Sequence, residues 1–401
     1  MKSLAIISQY FYPSEGSTAQ LLTDLTLNLA RTGYSVEVFT GSTSSSSDLS
    51  ISPEIKVLRP RSSQQQKYSI VSKVLSSFAF LCRGFLYVLS LSPSTPLLIV
   101  SNPPYAGILG LSFRYFKRGN YTFLFQDIFP ESANVSGVLT SQNILFRVLD
   151  RLMNLICQNS QHTIVLTTAM QAYLSQKYPH LSYHTDVHVI ENWAVEPIIP
   201  QPTASNPFAR KHKLDKIFTV LYSGNIGRLH DIETIAESIY LLRHEPIQFV
   251  FIGDGPKQYI LMNYLRKYQL TNLLLLPFQP RPQLSLTLTA CDLSLMGVIP
   301  GAEHIIAPCK LYGMLAAGRG IVSLSSSGSY LEQLLSQYNC GVNLPPQDPM
   351  NLASCIQSLS TNLERVATLG YNAHQLYKER YQVDRAIREY ENVLFDHLPH
   401  P

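Results

Sequence analysis

The sequence predicts two doubly wound α/β domains, each built on a parallel sheet. Short continuous apolar runs alternate with stretches of helical periodicity along nearly the whole chain, the pattern of strands covered by helices on both faces. At 401 residues the chain is too long for one ordinary domain and suits two of about 200 residues each. A Pro-, Ser- and Thr-rich stretch near the middle interrupts the alternation, which then begins again.

The first strand falls at 4–7. A helix begins near Ser17, with Leu22, Leu25 and Leu29 at i, i+3 and i+7, and Gly33 is its stop signal. Strands follow at 36–40, 97–100, 121–125, 163–166 and 187–190. Pro197, Pro200, Pro202 and Pro207, set among small and polar residues, mark a linker over 201–216. Beyond it come strands at 218–222, 248–252, 273–276, 293–296 and 321–324, with helices at 231–242, 257–267, 283–290 and 310–317. The expected domains are therefore 1–200 and 217–378, with a charged helical stretch closing the chain at 379–401. No strict repeat is present, and the serines of 42–47 read as a low-complexity loop.

Hydrophobic residues make up 45% of the chain and charged residues 14%. The net charge of +4 comes from 31 basic and 27 acidic side chains without any long basic run, so composition gives no support to nucleic-acid binding. The small basic surplus suits contact with anionic lipid or phosphate. Cys82, Cys157, Cys291, Cys309, Cys340 and Cys355 lack C-x-x-C spacing and read as reduced thiols of a cytosolic protein. The N-terminal apolar run is too short for a signal peptide, so the mature chain is expected to begin at Met1. Residues 69–91 are nearly all apolar or small, broken by Lys73 and Arg83 and preceded by Arg59, Arg61 and Lys67. Two internal charges argue against a membrane span, and the segment fits an interfacial helix or a core helix.

Ligands in open parallel sheets gather at the carboxyl ends of the strands. Gly16 stands just before the first helix, where a bare backbone lets a phosphate approach the free N–H groups; a turn needing positive φ is the plainer reading. Asp127, in Gln126-Asp127-Ile128-Phe129-Pro130-Glu131, follows a strand. It suits proton acceptance from a sugar hydroxyl, or hydrogen bonding to an acceptor, and equally the cap of the next helix. In Ser223-Gly224-Asn225-Ile226-Gly227-Arg228, two glycines and Asn225 beside Arg228 suit a backbone nest for a diphosphate, or a tight turn with a surface arginine. Gly253 opens a similar turn after the next strand.

The stretch 301–320 is the most specific. A loop with Glu303 and His304 enters a helix with Pro308 near its first turn and Gly318 at its end. Lys310 near that N-terminus adds its charge to the helix dipole at a place suited to an anionic diphosphate. Glu303 could accept hydrogen bonds from vicinal sugar hydroxyls. No G-x-G-x-x-G fingerprint or P-loop occurs, and without the dinucleotide fingerprint a dehydrogenase is disfavoured.

Together these residues resemble glycosyltransferase family 4, especially its branch related to the colanic-acid and lipopolysaccharide sugar transferases. The stretches that carry the likeness are Tyr10-Phe11-Tyr12-Pro13, 126–131, Glu191-Asn192-Trp193, 222–227 and Pro308-Cys309-Lys310-Leu311-Tyr312-Gly313 with Ala316-Ala317-Gly318-Arg319, in family order over most of the chain. The resemblance implies a GT-B fold, two Rossmann-like domains facing across a cleft, with the donor held mainly by the second and a final helix returning to the first. It also implies metal-independent transfer with retention, basic groups and amides stabilising the leaving diphosphate, and no cofactor. Three departures stand out. The second of the family's two glutamates falls on Gly313, leaving Glu332 as a substitute contact to the ribose. The lysine common after the arginine of the first turn is missing near His230. Cys309 and Gly320 replace Ser and Pro.

The expected function is transfer of a sugar from a nucleotide-sugar donor, a UDP-sugar favoured, to a lipid-linked acceptor such as a polyprenyl carrier. The setting is cell-surface polysaccharide or glycolipid synthesis at the inner face of the cytoplasmic membrane. Asp127, Glu303, Arg228 and Lys310 are the expected catalytic group, and Gly16, Asn225, Gly227, Gly253, Pro308, Tyr312 and Glu332 the expected donor contacts. A non-hydrolysing sugar-nucleotide epimerase and a catalytically silent nucleotide-sugar-binding subunit are the alternatives.

Overall fold

The computed structural model describes residues 3–14, 16–41, 52–59 and 70–395. The serine loop of 42–47 and residues Arg61, Lys67 and Ser69 lie outside the described residues. The chain divides into two compact units. The first comprises Met1–Asn192, Ile305–Ala307 and Asp384–Pro401, the second Trp193–His304 and Pro308–Val383.

The first unit is built on strands β1 (Ser3–Ser8), β2 (Ser35–Thr40), β3 (Ile55–Leu58), β4 (Leu97–Val100), β5 (Tyr121–Leu124), β6 (His162–Val165) and β7 (Asp186–Val189). They form one sheet in the order β3-β2-β1-β4-β5-β6-β7, with every pair parallel. All four residues of β4, Leu-Leu-Ile-Val, are buried, as expected of a central strand covered on both faces. Burying each such side chain contributes roughly 1.5–3 kcal/mol.

The second unit carries β8 (Phe218–Ser223), β9 (Ile247–Ile252), β10 (Leu273–Leu276), β11 (Leu293–Gly297), β12 (Gly320–Leu324) and β13 (Gly341–Leu344). Their order is β10-β9-β8-β11-β12-β13, again all parallel. Of the four edge strands, β7 and β10 match predicted strands, whereas β3 and β13 have no counterpart among them. Lys56 breaks the apolar run of β3, and β13 opens with Gly341 and carries Asn343. A Cβ on Gly341 would lie 2.3 Å from the Ile321 carbonyl oxygen, so its glycine is what lets the edge close onto β12.

The expected linker over 201–216 is instead folded into the second unit. Asn206 caps the helix Pro207–Lys211, its side-chain oxygen accepting from the Phe208 and Ala209 amides at 2.8 and 3.2 Å. Such a cap stabilises by about 1 kcal/mol. Phe208, Ala209 and Leu214 are buried beside Leu221, Val250 and Ile252. Pro202 precedes the short turn Thr203–Ser205 and Pro207 opens the helix Pro207–Lys211, and the chain passes from one unit to the other at Asn192–Trp193.

The apolar stretch of 69–91 contains the helix Ile70–Ser90. Among its described side chains, Phe80, Tyr87 and Val88 are buried while Phe78, Cys82, Arg83 and Leu86 are exposed. Phe80 and Tyr87 pack on Phe39 with ring centroids 5.5 and 4.9 Å apart. Among the described residues no helix is long and apolar enough to cross a membrane. The closing helix, Val383–Phe395, packs in the first unit, where Phe395 stacks on Tyr34 at 4.1 Å and the Thr32 hydroxyl donates to Glu391 at 2.8 Å.

Candidate active site

In the second unit the carboxyl ends of β8 and β9 run into two turns packed back to back. Gly224 has φ +115 and Gly253 has φ +141, conformations that side chains resist. A Cβ on Gly253 would lie 2.2 Å from the Gly224 carbonyl oxygen, and one on Gly255 would lie 2.4 Å from that of Ile226. The Gly224 amide donates to the Ile252 carbonyl at 2.8 Å and the Ile226 amide to that of Asp254 at 2.9 Å. The Gly227 amide donates to His230 Nδ1 at 3.0 Å. The amides of Gly224, Ile226 and Gly227 are therefore spent inside the protein, so the Gly227 amide does not face an anion as part of a backbone cradle. Gly253 shapes the turn from behind. Gly253→Ala is expected to destabilise the protein by about 1–3 kcal/mol through overpacking, seen as a lower denaturation midpoint with an unchanged m-value.

What the turn offers an anion is side-chain charge. Lys310 is the first residue of the helix Lys310–Ala316, with Cys309 as N-cap, so Pro308 precedes the helix rather than occupying its first turn. Lys310 Nζ lies 3.7 Å from the centroid of the Tyr222 ring and donates to the Asn225 carbonyl at 3.2 Å. Among the described residues no carboxylate forms an ion pair with it. Crowding by the surrounding protein pushes its pKa down to about 7. Lys310 keeps partial access to water, so the shift comes from protein gathered round the nitrogen rather than from complete removal from solvent. Arg228 is exposed and likewise has no carboxylate partner among the described residues.

Two residues that the sequence reading passed over complete this cluster. Tyr222 is buried, stacked on Phe251 at 4.9 Å, with its hydroxyl 2.7 Å from His230 Nδ1. Burial, and then the charges of Lys310 and Lys257, hold the His230 pKa well below the usual range, so the ring is neutral. Since Nδ1 accepts from Gly227, the ring proton sits on Nε2. Tyr222 stood in the sequence only as part of the 222–227 likeness and His230 only beside a missing lysine, neither with a role at the site.

Glu303, Glu332 and Tyr312 take other roles than those expected. Glu303 is buried, and its Oε1 accepts from both the amide (2.9 Å) and the hydroxyl of Ser326 just beyond β12. That oxygen is spent on a strut between two loops rather than held open for a sugar. The Glu332 carboxylate turns back to the Gly328 amide and the Ser327 hydroxyl, while the Glu332 amide donates to Ser329 Oγ at 3.2 Å. Ser329 thus caps the helix Tyr330–Gln337 while the carboxylate reaches the residue before the cap, a variant of the capping box that engages the carboxylate without a ribose. Tyr312 is only 1% exposed and meets Tyr381 edge-on at 5.2 Å, so it belongs to the core. At Gly313, where the resemblance places a glutamate, a Cβ would lie 3.0 Å from Leu288 Cδ1.

In the first unit, Asp127 follows β5 and forms an isolated antiparallel bridge with Ile306, while the Ile128 amide donates to the Ile305 carbonyl at 2.8 Å. The next helix, Glu131–Val135, has Pro130 as N-cap and no side-chain cap bond, so Asp127 does not cap it. No hydrogen bond engages the Asp127 carboxylate among the described residues, and the side chain is open to solvent. Crowding nevertheless pushes its pKa up to about 6. A carboxylate can be ringed by protein atoms and still touch water, as at the floor of a recess. The neighbouring Glu131 is tied to Lys177, which also pairs with Asp150 at 2.5 Å. Gly16 caps the helix Ser17–Arg31 in an extended conformation with φ −66, so positive φ is not why glycine stands there. A Cβ would meet nothing nearer than Ser14 Oγ at 3.9 Å, which leaves the helix start open. Thr18 donates to Gln126 Oε1 at 3.4 Å, linking this helix start to the residue before Asp127.

Two parallel sheets, ordered 3-2-1-4-5 and 10-9-8-11-12 with further strands β6, β7 and β13 at one edge, carry polar and charged groups at their strands' carboxyl ends; this is the GT-B class of glycosyltransferase fold. Residues 205–376 match the family described as glycosyl transferases group 1. The probable glycosyltransferase WbjE of Pseudomonas aeruginosa is 29% identical over 61% of this chain and 61% of its own length. The putative colanic acid biosynthesis glycosyl transferase WcaI of Escherichia coli is 31% identical over 30% of this chain and 29% of its own. The matched stretches thus span less than two thirds of either relative. Among solved structures, sucrose-phosphate synthase from Thermosynechococcus elongatus superposes with a TM-score of 0.78 at 16% identity, over 98% of both chains. Anabaena HepE in complex with UDP-glucose superposes with a TM-score of 0.71 at 14% identity, over 99% of this chain and 100% of its own. At these identities the likeness speaks to the fold.

Proposed function

We propose that this protein is a glycosyltransferase that moves a sugar from a UDP-sugar to a lipid-linked acceptor in cell-surface polysaccharide synthesis, with retention and without a metal. The observation that carries the reading is Lys310, a cation held against an aromatic face beside the glycine turn of β8, with no carboxylate partner among the described residues. Desolvating an ammonium without a counter-charge costs free energy, and a bound diphosphate would relieve that cost. Arg228 adds a second charge, and the two together would stabilise the negative charge that develops on the leaving diphosphate. The UDP preference rests on the likeness to a protein solved with UDP-glucose, and the polysaccharide setting on the name of WcaI.

Asp127, on the first unit, is assigned to the acceptor hydroxyl, and the open helix start at Gly16 lies at the same end of that sheet. A lipid acceptor fits the exposed face of the helix Ile144–Asn159. There Ile144, Leu145, Val148 and Leu155 stand exposed among the exposed Arg147 and Arg151, while Asp150 turns to Lys177 and Tyr178. Apolar side chains interleaved with arginine suit the headgroup boundary of an anionic bilayer, and association with the inner face of the membrane follows from this reading.

The test is release of nucleoside diphosphate from a panel of UDP-, GDP- and dTDP-sugars in the presence of membrane lipid extract. Lipid-dependent release of UDP from one donor is expected. Interconversion of the donor sugar without lipid would point to an epimerase instead. Donor binding with no turnover under any condition would make the protein a silent subunit.

A further inference from the structure

We propose that His162, Asp186 and His188 form a zinc-binding site on the edge of the first unit's sheet. The three residues come from neighbouring parallel strands. His162 opens β6 and pairs with Asp186, the first residue of β7, while His188 pairs with Ile164. Residues in register on parallel strands share a face, as do residues two apart on one strand, so the pairing alone brings the three side chains together. One ligand atom from each lies within 4.8 Å of the others.

The separation of the two rings fits a metal site. His162 Nδ1 and His188 Nε2 are 3.2 Å apart, with the ring planes at 63°. Two imidazole nitrogens bound to tetrahedral zinc at about 2.0–2.1 Å stand roughly 3.3 Å from each other. A direct hydrogen bond between the rings would give the same separation, and the experiment below separates the two cases. Two imidazoles and a carboxylate make a borderline donor set that favours zinc over magnesium or calcium. His162 is buried, His188 half-buried and Asp186 exposed, so an ion can enter from the edge and keep a water as fourth ligand.

The place argues for a structural role. β7 is the edge of the sheet, and the cluster lies at the amino ends of β6 and β7, whereas Gly16 and Asp127 follow the carboxyl ends of β1 and β5. An ion there would clip the edge strand to its neighbour, remote from the groups assigned to transfer. The inference does not rest on the glycosyltransferase reading and can fail or stand without it.

The test uses the untagged full chain, stripped with a chelator and dialysed. Zinc, titrated against a chromogenic chelator, is expected to bind at one equivalent, and cobalt at the same site should show the visible absorption of a tetrahedral ion. Magnesium and calcium should not compete. Asp186→Asn at an exposed position and His188→Ala at a half-buried one should keep the fold and each weaken zinc binding at least tenfold. Zinc should also raise the Tm of the parent and not of either variant. No stoichiometric binding by the parent, or binding left unchanged by both substitutions, would overturn the proposal in favour of a plain histidine–histidine hydrogen bond.

Discussion

Lys310→Ala is expected to lower kcat/KM for sugar transfer by about 10²–10³-fold, the size of effect that follows loss of one preorganised donor to a developing negative charge. The substitution removes a cation whose visible protein contacts are one carbonyl and one aromatic face, so Tm should change little. The same residue sets a pH dependence. Its pKa of about 7 belongs to the free protein, and a diphosphate, by favouring the charged form, must raise it. The Lys310 contribution to UDP affinity is therefore complete below pH 7 and is lost as the pH climbs through the raised value. Between those points binding takes up protons. Calorimetry at pH 7.5 in buffers of different ionisation enthalpy, with roughly that pH chosen from this shift, should detect the uptake in the parent and not in Lys310→Ala. Unaltered turnover and proton uptake in the variant would remove the phosphate role from this residue.

The second large effect is expected at Asp127. Asparagine keeps the shape of the side chain and removes its capacity to accept a proton, and kcat should fall by about 10²–10⁴-fold. Donor affinity should stay the same, because the assignment concerns the acceptor. With a pKa of about 6 in the free protein, the carboxylate gains a proton as the pH falls below that value, so the parent should show an acid limb in kcat/KM near pH 6. Asp127→Asn should flatten that limb. A kcat within a few-fold of the parent, or an acid limb that survives the substitution, would rule out Asp127 as the titrating group.

The fold was legible in the sequence because strands buried on both faces must be continuously apolar, and helices laid over them must repeat at 3.6. That argument finds central strands such as β4 and β9, and also the apolar edge strand β10. It misses an edge strand whose run is broken by a polar residue or glycine, as Lys56 breaks β3 and Gly341 and Asn343 break β13. The linker was misread because Asn206 and Pro207 are at once turn formers and helix starters, and only the burial of Phe208 decides between these. At the candidate site the limit is of another kind. Spacing cannot tell whether a carboxylate is already satisfied. Glu303 finds Ser326 across 23 residues, and Glu332 finds its own cap, so both looked free on paper. Tyr222 and His230 were missed because an aromatic residue at the end of an apolar strand and a single histidine are the usual contents of a core.

The return of the closing helix to the first unit has a consequence for how the protein is made. Tyr34 and Thr32 take their partners Phe395 and Glu391 from the far end of the chain, and Ala386, Ile387, Tyr390 and Leu394 are buried on that same helix. A ribosome that has finished Asn192 must still synthesise about 190 residues before this helix exists, a delay on the order of 10–40 s at typical elongation rates. Through that interval the first unit waits with part of its apolar surface uncovered. The unit that begins first is thus finished last, and its nascent form is the stage at which chaperones and proteases have the most to recognise.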